Sequence, residues 1–377
     1  MYTKPQWQAQ FPLDRNVIYL NHAAVSPWPK LVHEAVSRFA DENLTLGSKH
    51  YPQWVEVEQA LREQLARLIN APSSADIALL KNTSEALSVV AYGIEWNRGE
   101  NIVSSDEEFP SNRIVWQSLA PRGVELRQAH LADTEDPEAA LFALVDDKTR
   151  MISISSVQYA SGLRMNLQRI GDFCHQRNIL FCVDAIQSIG ATMFDVQVWH
   201  IDFAMADGHK WMLGPEGLAL FYVRAELRDT LQLHQFGWHM TEDHLDFSSK
   251  EWSVAKSARR FECGSPNMLA IHALQASTAL LLDIGMNNIE QMVRDNSLHL
   301  LRLIEQHHEL LVITDTRPER VAGIVTFKHQ TKASESLYKR LMERDIMCAS
   351  RGGGIRFSPH FYTNHTALDT AISAVLE

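Results

Sequence analysis

The stretch ADGHKWMLGPEG, residues 206–217, packs an aspartate, a histidine and a lysine into four positions, then runs through apolar residues into a glycine-bracketed turn. A lysine is ordinarily a solvated surface charge. The residues upstream give this one another reading. ILFCVD, residues 179–184, is an apolar run of strand length closed by Asp184, and Phe203 to Ala206 is the next such run. A carboxylate at the end of a buried strand needs a cation or a hydrogen-bond donor. Capping a helix over the following AIQSIG segment would also satisfy it. Adjacent βα units open their strand ends on one crevice, so Lys210 and Asp184 are expected to share it, which favours the charge partner over the cap.

Length and composition bound the rest. With 377 residues, 45% hydrophobic and 21% charged, the chain has room for one large globular domain and a smaller one. A net charge of -11, with acidic and basic residues interspersed, disfavours nucleic acid and anionic membrane surfaces and leaves small molecules as partners. The first residues, MYTKPQWQAQFPLDRNVIYL, lack the charged start and apolar core of a signal peptide. No apolar run reaches membrane-spanning length, and the expectation is a cytoplasmic protein. Cys174, Cys182, Cys263 and Cys348 are far apart, without CxxC or His/Cys ligand spacing. They read as buried reduced thiols, with neither a disulfide nor a metal site.

Strands are expected at Ile77 to Leu80, Asn101 to Ser104, Arg150 to Ser155, Ile179 to Asp184, Phe203 to Ala206 and Leu218 to Val223. They alternate with helical periodicities such as residues 53–69, which INAPSS then breaks, and this is the pattern of an α/β domain. The alternation gives way at KEWSVAKSARRFECGSPN, residues 250–267, ahead of a helical pattern from Met268 to about Leu282. A domain boundary is placed there, with 21–258 forming the large domain and 259–377 the small one. The remainder holds a strand at Ala322 to Lys328, a helix at Ser334 to Glu343, a glycine-rich strand at Arg351 to Phe357 and a last helix.

An aldehyde cofactor held on Lys210 as a Schiff base would present a pyridinium nitrogen to Asp184, which gives both groups a task. Pyridoxal 5'-phosphate also carries a dianionic phosphate. KNTSEALSVVAYGI, residues 81–94, offers Thr83, Ser84 and free N–H groups where a helix begins, the arrangement that holds phosphate. With Glu85, the same residues also read as a simple helix cap.

VDAIQS, DGHKWMLGPEG, RFECGSPN and RGGGIRFSPHFY resemble the motifs of the class V aminotransferase family, which includes cysteine desulfurases, selenocysteine lyases and kynureninase-like enzymes. The resemblance runs from YLNHAAVSP, residues 19–27, to the last strand. It implies the PLP-dependent transferase fold type I: a large α/β domain with a mostly parallel seven-stranded sheet and a small C-terminal α/β domain. It also implies an N-terminal segment (1–20) packing on the small domain, an interface motif (260–267) and a homodimer with shared active sites. By position, Lys210 resembles the Schiff-base lysine and Asp184 the partner of the pyridine nitrogen. Gln187 resembles the glutamine near the cofactor's phenolic oxygen, and Thr83, Ser84 and His209 resemble phosphate contacts. Gly264 and Ser265 resemble a phosphate contact from the neighbouring subunit. Phe109 falls where the family stacks an aromatic ring on the pyridine, against the plainer reading of core packing. Tyr159 lies near another cofactor contact, an Asn in desulfurases. Asp207 departs from the hydroxyl residue of many desulfurases; a carboxylate there would repel phosphate, so it is expected to turn toward His209 or a backbone amide.

Substrates of this family bring an α-carboxylate, for which a planar guanidinium is the natural clamp. Arg356 occupies the place of the family's substrate arginine, and Arg351 is a second candidate. His22 resembles part of a substrate-contacting N-terminal loop, or else caps or packs. A desulfurase needs a nucleophilic cysteine on a flexible loop ahead of the final arginine strand. Here DIMCASRGGGIR, residues 345–356, is short, and Cys348 reads as the end of an apolar strand, which disfavours persulfide transfer. The expectation is a pyridoxal-phosphate enzyme acting on a small amino acid by transamination. The alternatives are a cysteine or selenocysteine C–S(Se) lyase or desulfurase, epimerase-like chemistry, and a catalytically silent cofactor-binding protein, against which the intact Lys210 and Asp184 argue.

Overall fold

The computed structural model describes residues 4–132 and 134–377. Its strands are β1 (Ile18–Tyr19), β2 (Ile77–Leu80), β3 (Asn101–Ser105), β4 (Glu125–Ala129), β5 (Thr149–Ser155), β6 (Leu180–Asp184), β7 (Phe203–Asp207), β8 (Ala219–Val223), β9 (Leu310–Val312), β10 (Val325–His329), β11 (Ile346–Met347), β12 (Ala349–Arg351) and β13 (Gly354–Phe357). Seven form one sheet in the order β2-β8-β7-β6-β5-β3-β4, parallel except for β8, which runs antiparallel to both neighbours. β7 and β8 are buried throughout, as the continuous apolar runs of a sheet covered on both faces require. Alternate side chains divide between two cores: Phe181 and Val183 enter one, while Cys182 of the same strand enters the other. From β3 the chain passes to β4 on one side, then returns to β5 on the other side of β3. The strand ends near that reversal form the crevice where open α/β sheets bind ligands.

β4 was not foreseen. Its sequence, ELRQA, belongs to an edge strand of which only Ala129 is buried, so it lacks the apolar run that marks the others. The glycine-rich strand expected at Arg351 to Phe357 is instead a hairpin. β12 and β13 pair antiparallel around Gly352 and Gly353, both with positive φ (57° and 77°), the conformation a two-residue turn between twisted strands demands. These strands join β10 and β9 in a four-stranded sheet, order β12-β13-β10-β9.

Packing changes hands at a place the sequence did not mark. The helix Met268–Ile284 packs on the helices Lys30–Leu46 and Tyr51–Leu68, and it shares the core of the large sheet with Ile289 and Val293 of the next helix, Met286–Glu305. Leu300, Leu301 and Ile304 of that same helix belong to the core of the small sheet. One helix therefore contributes to both cores. At the other end of the chain, β1 pairs parallel with β11, and Leu20 is buried in the small core. No single helix among the described residues is long and apolar enough to cross a membrane.

The segment after β6 packs tightly against the turn that carries Lys210. Gly190 has φ +97°, and a Cβ there would lie 2.3 Å from the carbonyl oxygen of Trp211. Gly190→Ala is expected to lower stability by about 3 kcal/mol through the left-handed backbone and the backbone clash together. Urea unfolding checks this; an unchanged midpoint would contradict the close approach.

Candidate active site

The carboxyl ends of β5, β6 and β7 open on a cavity of about 290 Å³, at the small end of ordinary ligand pockets, roughly 300–1,000 Å³. Two clefts elsewhere are larger, about 490 and 530 Å³, but neither contains Lys210 or Asp184. Chemistry, rather than volume, picks the site.

Asp184 ends β6, is 2% exposed and lines the cavity. Its Oδ1 accepts the Ile186 N–H at 3.1 Å, closing a local turn; the helix that a cap would have served does not form. Burial, reinforced by the nearby charge of Glu108, pushes its carboxyl well above the usual range, while the Ile186 N–H and Lys210 pull the other way. Lys210 follows β7 and enters the same cavity, with its Nζ 5.7 Å from the centre of the Phe109 ring. Burial and the charge of Arg356 lower its proton affinity, against the attraction of Asp184 and Asp207. The two groups that the sequence paired therefore meet, and each feels the other's charge.

The turn carrying Lys210 is anchored on several sides. Gly208 N–H donates to Leu218 O and Gly214 N–H to Gly208 O, while a Cβ at Gly214 would lie 2.7 Å from Leu274 of the core helix. Gln187 donates from Nε2 to Ala23 O (3.0 Å) and accepts the Trp211 indole N–H (2.8 Å) at Oε1. It borders the cavity with its amide orientation fixed.

Thr83 and Ser84 open the helix Thr83–Gly93, where Asn82 caps the Glu85 N–H and leaves the first amides at the cavity edge. Asp207 behaves as expected: Oδ1 lies 3.4 Å from His209 Nδ1, and Oδ2 accepts the Thr83 N–H at 3.4 Å. Asp207 Oδ1 and His209 Nδ1 thus face each other, whereas the buried Arg356 Nε at this cavity has no hydrogen-bond partner among the described residues. A buried polar atom left without a partner beside a cavity suits a site built for a polar group. A lysine, a carboxylate and a helix N-terminus with a histidine fit the aldehyde, ring nitrogen and phosphate of pyridoxal phosphate. Asp207 is a like charge at the phosphate end, and it lies against His209 and the Thr83 N–H.

Phe109 is 42% exposed and borders the cavity, its ring edge-on to Tyr159 with centroids 5.2 Å apart, so it is not a core residue. Arg356, 3% exposed, donates from Nη1 to Tyr159 O (2.7 Å) and lines the cavity together with Arg351. His22 is corrected. It is fully buried, with Nδ1 2.7 Å from Ser358 O and Nε2 2.6 Å from the Tyr362 hydroxyl, and burial pulls its proton affinity down to about 4. The cavity takes its neighbours Ala23 and Ala24 instead. Gly264 and Ser265 lie apart, in a separate surface cleft of about 250 Å³. Cys348 is 1% exposed and burial pushes its thiol up to about 12.

Sequence reasoning missed Glu108. Its buried carboxylate accepts from Ser105 Oγ, Asn112 Nδ2, Ser155 N, Ser155 Oγ and Gln158 Nε2, tying the end of β3 to that of β5. The available signal was a second glutamate immediately before the aromatic residue of EEFPSN.

The family model described as "Aminotransferase class-V" matches residues 18–370. A probable cysteine desulfurase of Methanothermobacter thermautotrophicus is 29% identical over 93% of this chain and 92% of its own length. A cysteine desulfurase of Salmonella choleraesuis is 30% identical, covering 85% of this chain and 81% of its own. The apo structure of a cysteine desulfurase from Thermococcus onnurineus superposes with a TM-score of 0.89 at 25% identity, over 99% of this chain and 97% of that one. By the family match over most of its length, and with the lysine, aspartate and fold in place, the chain belongs to the class V aminotransferases, a family of pyridoxal-phosphate enzymes.

Proposed function

We propose that the protein works at the Cα of a small amino acid by transamination, with pyridoxal phosphate held on Lys210. The observation that carries this reading is a single cavity holding Lys210, Asp184 and Arg356, with no thiol among its described lining residues. Once bound, the cofactor supplies an electrophilic carbon for the substrate's amino group and a conjugated ring that takes up the electron pair of a broken Cα bond.

The chain's own residues do the rest. Burial lowers the proton affinity of Lys210 to about 8, so a larger share is free amine at neutral pH than for an exposed lysine; that amine would form the covalent link and, once displaced, take and return a proton at Cα. Asp184, whose burial makes it a strong proton acceptor, would pair with a protonated ring nitrogen. Thr83, Ser84 and His209 would hold the phosphate, and Phe109, at the cavity edge, would help keep water out. Arg356 has one Nη engaged with Tyr159 O and an Nε without a partner among the described residues, and it would take the substrate α-carboxylate.

A second reading is C–S or C–Se lyase chemistry, favoured by likeness to proteins named cysteine desulfurase. Cys348, buried and poor in thiolate, does not serve as a sulfur acceptor, so the element would leave as free sulfide or selenide.

The reading extends to a homodimer with shared sites. Gly264 and Ser265 sit away from the Lys210 cavity of their own chain. Nearby in the sequence, Phe236, Phe247 and Trp252 are exposed by 64%, 76% and 62%, apolar surface that a second copy would cover. The four free cysteines, three of them buried, suit a cytoplasmic setting.

Loading with pyridoxal phosphate should produce a visible absorbance band that Lys210→Ala abolishes, with turnover falling by about 10³-fold or more. An amino acid panel then separates the reactions: pyridoxamine phosphate marks transamination, and sulfide with pyruvate marks the lyase. A band unchanged in the variant would sink the assignment. Sedimentation should give a dimer, and Ser265→Ala should loosen the cofactor several-fold although Ser265 lies outside its own chain's cavity. A monomer with full cofactor affinity would refute the sharing of sites.

A further inference from the structure

Arg351 and Arg356 stand on one face of the β12–β13 hairpin. In its register Ala349 faces Arg356 and Arg351 faces Gly354, so the two arginines are diagonal neighbours, roughly 7–8 Å apart at Cα. Both line the Lys210 cavity. Among the described residues neither has a carboxylate within ion-pair distance. Arg356 contacts Tyr159 O and, at 3.5 Å, Asn21 Oδ1, while Arg351 donates from Nη1 to the carbonyl of its neighbour Ser350. The cavity's acidic residues are placed elsewhere: Asp184 is given to the ring nitrogen, Asp207 lies against His209 and Thr83, and Glu216 pairs with neither arginine. Gly352 and Gly353 make the hairpin turn that follows Arg351.

Two unpaired guanidinium groups facing one small cavity repel each other, and one α-carboxylate satisfies only one of them. We propose that Arg351 determines specificity, and that the substrate is a short amino acid whose side chain also ends in an anion, a carboxylate or a sulfinate, held by Arg351 while Arg356 takes the α-carboxylate. The diagonal spacing of the two arginines suits a side chain with one or two carbons before the anion. This inference rests on the proposed function for the role of Arg356.

Succinate and butyrate share a carbon skeleton, differ by one carboxylate and lack the amino group needed to react. Calorimetry on the pyridoxal-phosphate-loaded enzyme should show succinate binding at least tenfold tighter. Arg351→Gln, a change at an exposed position, should erase that preference while leaving butyrate affinity as it was; Arg356→Gln should weaken both. In turnover, Arg351→Gln should raise KM at least tenfold for aspartate or cysteine sulfinate and not for alanine. Equal binding of the two acids, or a preference that survives in Arg351→Gln, would overturn the proposal. Failure of the visible band to form would count against the cofactor reading alone, because the same pair of acids, titrated into the unloaded protein, still decides the role of Arg351.

Discussion

A carboxylate and an amine, both drawn out of water, are held at the ends of neighbouring parallel strands, and the surrounding structure is arranged to keep them there. Removing charges from water costs several kcal/mol per ion unless partners compensate. β6 and β7 pair in register up to Asp184 and Met205, which fixes the spacing of the two strand ends. Gln187, Trp211 and Gly190 then tie the segment after Asp184 to the turn bearing Lys210. His22 and Tyr362 close the rear of that turn with the N-terminal segment and the end of the chain, where His360 lies 3.1 Å from the carbonyl of Trp211. The strand end bearing Asp184 and the turn bearing Lys210 are thus positioned by backbone and packing.

Charge in the site is finely balanced. Glu108 accepts from five donors at the ends of β3 and β5, and its negative charge makes Asp184 hold a proton more strongly. Asp184 in turn supports the cationic form of Lys210, while Arg356 opposes it. On the proposed function, a ring nitrogen carrying a proton would satisfy Asp184 without asking Lys210 to stay charged.

Much of this was legible in the sequence, for an identifiable reason. Strands that are buried on both faces write themselves as apolar runs, and their polar last residues fall where ligands bind; β6 with Asp184 and β7 with Asp207 are such cases. Thr83 and Ser84 were readable because a helix start has its own pattern. What escaped depends on pairing and packing partners. β4 is an edge strand with one buried residue, and the Gly352–Gly353 turn is hidden in a run of three glycines. The helix Met286–Glu305 serves two cores without changing its periodicity. His22 and Ala23 are sequence neighbours, yet only one of them borders the cavity, a difference of side-chain direction that no local pattern records. Glu108 was overlooked because its donors come from residues up to fifty positions away.

The claim beneath all of this is that Asp184 keeps the pyridine nitrogen protonated. Loading the protein with ¹⁵N-labelled pyridoxal phosphate and following the ring nitrogen by NMR through neutral pH tests it directly. The account predicts a pyridinium signal throughout that range in the unaltered protein and its replacement by a neutral pyridine signal in Asp184→Ala. A neutral ring nitrogen in the unaltered protein, or a pyridinium indifferent to the substitution, would contradict it.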